Sequence, residues 1–174
     1  LYLNGGIRLN YCGHCGELLM VEDEQKTGAK KRCPKCLWKW YDSPIPVVLV
    51  LVTTADGQIV YVRRKSFEPG MWSLISGYIE KNETAESAAK REVQEETGLE
   101  AEIVKYLGTY VSDRKPHELV LAYHCKVIGG DLVAGDDADE VEIAPPKLNR
   151  FRKGSIAFHI VQNFIFKYKL LNDK

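Results

Sequence analysis

Gly77-Tyr-Ile-Glu-Lys-Asn-Glu83-Thr-Ala-Glu-Ser-Ala-Ala-Lys-Arg91-Glu92-Val-Gln-Glu95-Glu96-Thr-Gly98-Leu99 is the stretch on which the reading of this chain turns. It reads as a glycine turn followed by a helix. Thr84 is placed to cap the helix N-terminus, with Ser87 and Ala88 in the first turn, and Gly98 is placed to stop it. Within that helix Glu92, Glu95 and Glu96 stand at i, i+3 and i+4, so all three project from one face. Three like charges so close repel one another and weaken an isolated helix. A hard divalent cation such as Mg²⁺ or Mn²⁺ prefers carboxylate oxygens and would relieve that repulsion. Glu83 and Arg91 lie eight residues apart, about two helical turns, which predicts an ion pair tying the preceding loop to the helix and orienting the carboxylates.

The spacing is also a pattern in its own right. Glycine, five residues, Glu83, seven residues, then Arg91-Glu92-Val93-x-Glu95-Glu96-x-Gly98-Leu99 matches every fixed position of the Nudix box. Most acidic runs are solvated surface helices, and that is the alternative here. The chain resembles the Nudix hydrolases, which implies an α/β class with an α/β/α sandwich built on a mixed sheet. The resemblance further implies hydrolysis of a nucleoside diphosphate linked to another moiety. Glu92, Glu95, Glu96 and the Gly77 carbonyl would then hold Mg²⁺ or Mn²⁺, and Glu92 would be a base or ligand near the attacking water, with downstream acids as the alternative base.

At 174 residues the chain suits one ordinary domain plus a small appendage. Apolar residues make up 45% and charged residues 28%, the composition of a globular protein rather than a disordered or fibrous one. Formal net charge is zero, so nothing general draws the chain to nucleic acid or to a membrane surface. No apolar run approaches bilayer length and no signal-peptide pattern opens the chain, although the lack of an initial methionine implies a trimmed start.

Five cysteines divide as four plus one. Cys12-x-x-Cys15 and Cys33-x-x-Cys36 are separated by seventeen residues, and Cys125 stands far downstream. Without a secretory signal such pairs read as a metal site before they read as disulfides, which points to a reducing cytoplasm. Four thiolates suit tetrahedral, structural Zn²⁺, so residues 1–43 are expected to form a small N-terminal zinc ribbon and residues 44–174 the hydrolase domain. A redox or disulfide role is the competing reading. His14 is expected as a residue of the knuckle, since four cysteines already complete the shell. So short a segment builds little core, and metal binding is expected to supply much of its folding energy. Lys26, Lys30, Lys31, Arg32, Lys35 and Lys39 make it mildly basic, with Trp38, Trp40 and Tyr41 among them. That mixture leaves RNA contact open, while packing against the following domain is the preferred expectation for the aromatics.

Beyond Pro44 and Pro46, Val47–Thr53 is a β-branched apolar run that predicts a strand buried on both faces. Asp56-Gly57 signals a hairpin, with Ile59–Val62 as its return. Arg63, Arg64 and Lys65 at its end are either solvated charges or holders of substrate phosphates. Ile75-Ser-Gly-Tyr-Ile-Glu80 at the box entry resembles the Ala-Gly-Phe-Val-Glu entry of bacterial NADH pyrophosphatases, which also carry a four-cysteine ribbon before the Nudix domain. Ala101–Val111 and Leu119–Val127 are expected strands around Ser112–Glu118. Here the sequence departs from that family's Ser-Gln-Pro-Trp-Pro-Phe-Pro signature, and none of its aromatics is present. Pro116 stands close to where ADP-ribose-cleaving relatives carry a proline.

Asp136-Asp-Ala-Asp-Glu140 is a second acidic cluster, and Asp137 and Glu140 resemble an acid-x-x-Glu pattern that can add a metal ligand or base; a solvated acidic loop fits equally. Ser155 is a cap for a final helix with Ile160 and Phe164 as anchors, His159 as an ordinary helix residue, and Cys125 as an inert buried thiol. The function expected is pyrophosphate hydrolysis in a substrate of the ADP-ribose, FAD or NADH class, by a homodimer as in related enzymes. The alternatives are a non-catalytic nucleotide sensor, and removal of NAD caps from RNA with the ribbon touching the strand.

Overall fold

Alternating valine and leucine side chains on one strand organise the domain. The computed structural model describes residues 9–23, 25, 29–64, 68–112, 114–135 and 138–172, with 168–172 described by backbone alone. Strand β4 (Ile45–Thr53) sends Val48, Val50 and Val52 to one face of the sheet and Leu49 and Leu51 to the other. Both faces are buried, as a nearly continuous apolar run requires. Around β4 stand β5 (Ile59–Arg63), β6 (Ile75–Tyr78), β7 (Leu99–Val111), β8 (Glu118–Gly130) and β9 (Glu140–Ala144), in the order β7-β8-β4-β5-β9 with β6 also paired to β4. The sheet is mixed, because β4 and β8 run parallel while the other pairs are antiparallel. The β4–β5 hairpin closes at Asp56-Gly57, where Gly57 takes φ +80° and Thr54 N–H donates to Gln58 O.

Helix α1 (Ala85–Thr97) covers one face and α2 (Ile156–Asn172) the other, giving the α/β/α sandwich. The buried side of α1 is Ala88, Ala89 and Val93, small enough for the helix to lie close on Val48, Val50 and Ile75. That close approach brings the carboxylates of the same helix to the sheet. Helix α2 packs Ala157, Ile160 and Val161 against Leu49, Leu51 and Ala122, and Ser155 Oγ accepts from Phe158 N–H at its start. Ile160 is an anchor, Phe164 is partly buried in the same cluster, and His159 is exposed. Among the described residues no helix is long and apolar enough to cross a membrane.

The N-terminal ribbon is a three-stranded antiparallel sheet of β1 (Met20–Val21), β2 (Lys31–Arg32) and β3 (Lys39–Trp40). Trp38 and Trp40 pack on the ribbon's own buried Cys12, Leu19 and Cys33, and Tyr41 is half exposed. The aromatics therefore serve a core too small to form without them, rather than the next domain as the sequence suggested.

Cys125 is fully buried, and burial pushes its thiol up to about 12, consistent with an inert group. Beside it on β8, His124 bonds Thr53 Oγ1 at 2.9 Å, and burial followed by the charge of Lys105 lowers its pKa to about 4. A histidine lowered on folding stays neutral in the native state while the unfolded chain takes up a proton below about 6.5. Its contribution is therefore complete above about pH 6.5 and is lost as pH falls toward about 4. Urea titrations across that window should show stability falling with pH in the wild type, and a shallower slope in His124→Asn; identical slopes would remove His124 from the explanation.

Candidate active site

Thr84 and Gly98 set the ends of α1 as expected. Thr84 Oγ1 accepts from Ser87 N–H at 3.2 Å, and Gly98 adopts φ +70° while its N–H donates to Gln94 O. The last carbonyls are met by the loop after β8: Gly135 N–H donates to Glu96 O and Val133 N–H to Thr97 O. This approach demands a glycine, since a Cβ on Gly135 would lie 1.8 Å from Glu95 O. The carboxylate-bearing turn of α1 is thus clamped by a loop far along the chain.

Gly77 corrects one expectation. It is not a turn residue but lies inside β6, paired with Val48, and the chain turns only later, at Asn82 with φ +68°. Its requirement is space: a Cβ there would fall 1.9 Å from the Glu92 carboxyl carbon. Glu92 folds over this bare patch of strand, and desolvation there raises its pKa.

Arg91 gathers the surrounding acids. Its Nε and Nη2 donate to the two oxygens of Glu83, both at 2.9 Å, and Nη2 also reaches Tyr78 O at 3.0 Å. Its Nη1 donates to Glu92 Oε1 at 2.7 Å and Glu95 Oε2 at 2.8 Å. The bidentate pair lowers the Glu83 pKa. Arg91 so fixes loop, strand and two box carboxylates at once, more than the single pair the spacing indicated.

Glu96 is 2% exposed, and among the described residues only Glu118 is another buried charge. Glu96 Oε1 accepts from Arg64 Nη2 at 2.6 Å, and the same nitrogen donates to Ser76 O at 3.2 Å. Its Oε2 is buried with no hydrogen-bond partner among the described residues. Burial pushes the carboxyl up to about 7 even though Arg64 pulls it down. An orphaned oxygen on a buried carboxylate, close to a second desolvated one, is a donor set that suits a divalent cation.

Of the two arginines ending β5, Arg64 reaches the box. Arg63 faces Glu140 across the β5–β9 pairing and donates from Nε at 3.0 Å, with Nη2 on the other oxygen. Arg63 and Glu140 therefore engage each other. Asp137, like Lys26, Lys65, Asp113 and Asp136, lies outside the described residues.

At the ribbon, the sulfurs of Cys12, Cys15, Cys33 and Cys36 all lie within 4.8 Å of one another. Separations of 3.5 Å for Cys12–Cys36 and Cys15–Cys33 and 3.6 Å for Cys15–Cys36 are far too long for disulfides. They are near the edge of about 3.8 Å expected of a tetrahedron with Zn–S of about 2.3 Å. His14 N–H and Cys36 N–H point at the sulfurs of Cys12 and Cys33, both at 3.4 Å. After each pair the chain turns through a left-handed residue, Gly16 at φ +73° and Leu37 at φ +64°. Such a site could hold zinc. Metal analysis of the purified protein should find about one Zn per chain; no zinc, with thiols oxidised in pairs, would reverse the assignment.

A mixed sheet between two helices, with Gly77, Arg91, Glu92, Glu95 and Glu96 converging at the sheet–helix seam, defines a Nudix-type hydrolase. The chain belongs to that family: residues 43–164 match the NUDIX domain. It is 32% identical over 162 residues to the NAD-capped RNA hydrolase NudC of Pseudomonas aeruginosa, covering 89% of this chain and 55% of that protein. It is 34% identical over 122 residues to the NudC of Chromobacterium violaceum, covering 70% and 44%. The chain spans about half the length of these curated relatives. A NUDIX hydrolase from Nitrosomonas europaea shares the fold with TM-score 0.71 at 23% identity, over 92% of this chain and 90% of that one. An ADP-ribose pyrophosphatase from Streptococcus suis does so with TM-score 0.58 at 17% identity, over 72% and 92%.

Proposed function

We propose that this protein hydrolyses the pyrophosphate bond of a nucleoside diphosphate linked to another moiety, of the ADP-ribose, FAD or NADH class, with a divalent metal. The observation that carries the reading is the buried, unpartnered Oε2 of Glu96 beside the Glu92 carboxylate on Gly77. Glu92, Glu95, Glu96 and the Gly77 carbonyl would hold Mg²⁺ or Mn²⁺, which when bound offsets phosphate charge and acidifies a coordinated water. Desolvation of Glu92 and its bond from Arg91 support a role for it as base or ligand near the attacking water. Arg91, with Glu83, keeps Glu92 and Glu95 in register, a positioning task. Arg64 presents positive charge at the seam between Glu96 and Ser76 O, where a phosphate would approach. Asp137 and Glu140 remain further candidates for metal or base, and Glu140 would have to leave Arg63 to serve.

The names of the NudC relatives favour a second reading within the same chemistry, cleavage at the NAD cap of an RNA, with the basic ribbon touching the strand. Residues 1–43 and 44–174 are proposed as ribbon and hydrolase units of a cytoplasmic homodimer. The test is a panel of NADH, ADP-ribose, FAD and NAD-capped RNA with Mg²⁺ or Mn²⁺, scored by the nucleoside monophosphate released. Monophosphate from at least one substrate is expected. Binding without cleavage across the panel would instead identify a nucleotide sensor.

A further inference from the structure

The edge strand β7 twice breaks its own alternation. Ile103 pairs with Cys125 on the face that α1 covers, and Lys105, two residues on, pairs with His124, which packs on α2 instead. Val104 is the extra residue, a bulge that turns Lys105 to the α2 face. Strict period-two alternation would have left Lys105 beside Ile103. Leu107 is a second extra residue, between the Tyr106–Tyr123 and Gly108–Ala122 pairs.

Both bulge residues line a cavity of about 300 Å³ between β7, β8 and the later turns of α2. Its size falls at the lower end of small-molecule sites. On the helix side, Ile160, Asn163, Phe164 and Lys167 stand at i, i+3, i+4 and i+7, so one face of α2 meets it. The interior is apolar, with Leu51 and Leu107 beside the rings of Tyr110, His124 and Phe164. His124 and Phe164 lie edge to face with centroids 5.8 Å apart. Thr53 Oγ1 engages His124 Nε2 at 2.9 Å, and Nδ1 has no hydrogen-bond partner among the described residues.

The charge at this cavity is of one sign. Lys105 comes from β7 and Lys167 from α2, and no carboxylate is among the described residues that line it. Both lysines are exposed, and neither has an ion pair or hydrogen bond among the described residues. Two ammonium groups at one mouth attract an anion, and a ring-lined interior suits a flat ring. The cavity shares no lining residue with the box and lies on the sheet face opposite α1.

We propose that this cavity is a second ligand site, for a flat aromatic ring carrying a phosphate or carboxylate. The ring lies among Tyr110, His124 and Phe164, and the anionic head meets Lys105 and Lys167. The site goes beyond the pyrophosphatase reading and does not depend on it. Two sources share this chemistry, a nucleoside monophosphate and an aromatic acid.

Proton NMR follows the His124 ring resonances, assigned among the four histidines by their loss in His124→Asn. AMP and 2-naphthoate are titrated with a chelator present, each beside its uncharged counterpart, adenosine and 2-naphthamide. At least one anion should shift the His124 resonances saturably and bind about tenfold more tightly than its counterpart, as for two exposed charges on one anion. That wild-type comparison needs no variant. In the double variant Lys105→Gln/Lys167→Gln the preference should vanish while the uncharged counterpart binds as before. The anion that responds names the source. Unmoved His124 resonances with both anions at millimolar concentration overturn the proposal. Equal affinity of anion and counterpart, or a preference kept in the double variant, does so too. Shifts produced by octanoate and by neither ring overturn the aromatic assignment.

Discussion

Glu96→Gln should lower turnover by at least ~10²-fold with little change in folding, the loss typical when one strong electrostatic stabiliser is removed. Glutamine keeps the volume and an acceptor for Arg64, so the 2.6 Å contact that anchors this end of α1 has a replacement. What disappears is the negative charge on Oε2, which nothing else in the described structure uses. Glu95→Gln should fall by a similar factor for a different reason, since Glu95 is half exposed and its charge is free to meet a metal ion once Arg91 yields it. Steady-state rates with saturating Mg²⁺ measure both. Near-normal activity in both variants would remove the site assignment.

Gly77→Ala should be almost as damaging, by about 10²-fold, although it adds one methyl group. The new Cβ would occupy the place of the Glu92 carboxylate, and because that carboxylate ends a flexible side chain, it would swing aside rather than break the strand. A shift of about 1 Å in a catalytic group can cost about that factor. Thermal unfolding should stay close to wild type, because β6 keeps its pairing to β4 and Ile75 stays in the core. A large loss of stability with unchanged turnover in the folded fraction would show that Gly77 serves the backbone and not Glu92.

Much of this was legible in the residues. The β4 run announced a strand buried on both sides, Thr84 and Gly98 marked the ends of α1, and the paired cysteines marked the ribbon, because each signal is local. The i, i+3, i+4 carboxylates were local as well. Their surroundings were not. Gly77 read as a turn because glycine more often frees φ than makes room, and only the tertiary approach of α1 to β6 shows which applies. The different tasks of Arg63 and Arg64 follow from strand alternation plus the β5–β9 register, and the register is a long-range fact. Gly135 clamps the helix end from a loop forty residues beyond Glu95, with no local pattern to announce it. Glu118 did leave a trace, a carboxylate on the same alternation as Val120 and Ala122. Its burial depends on how Tyr78 and Lys115 close over the start of β8, which no local pattern announces.

The most direct measurement follows the water. NADH or ADP-ribose is incubated with Mg²⁺ in ¹⁸O-labelled water and the products are weighed by mass spectrometry, with a chelator added in parallel. The expected result is two phosphate-bearing products, one solvent oxygen on one phosphate of the pair, and no products when the metal is removed. Products without solvent oxygen on phosphorus, or the same yield with chelator present, would contradict metal-dependent attack of water on the pyrophosphate at Glu92, Glu95 and Glu96.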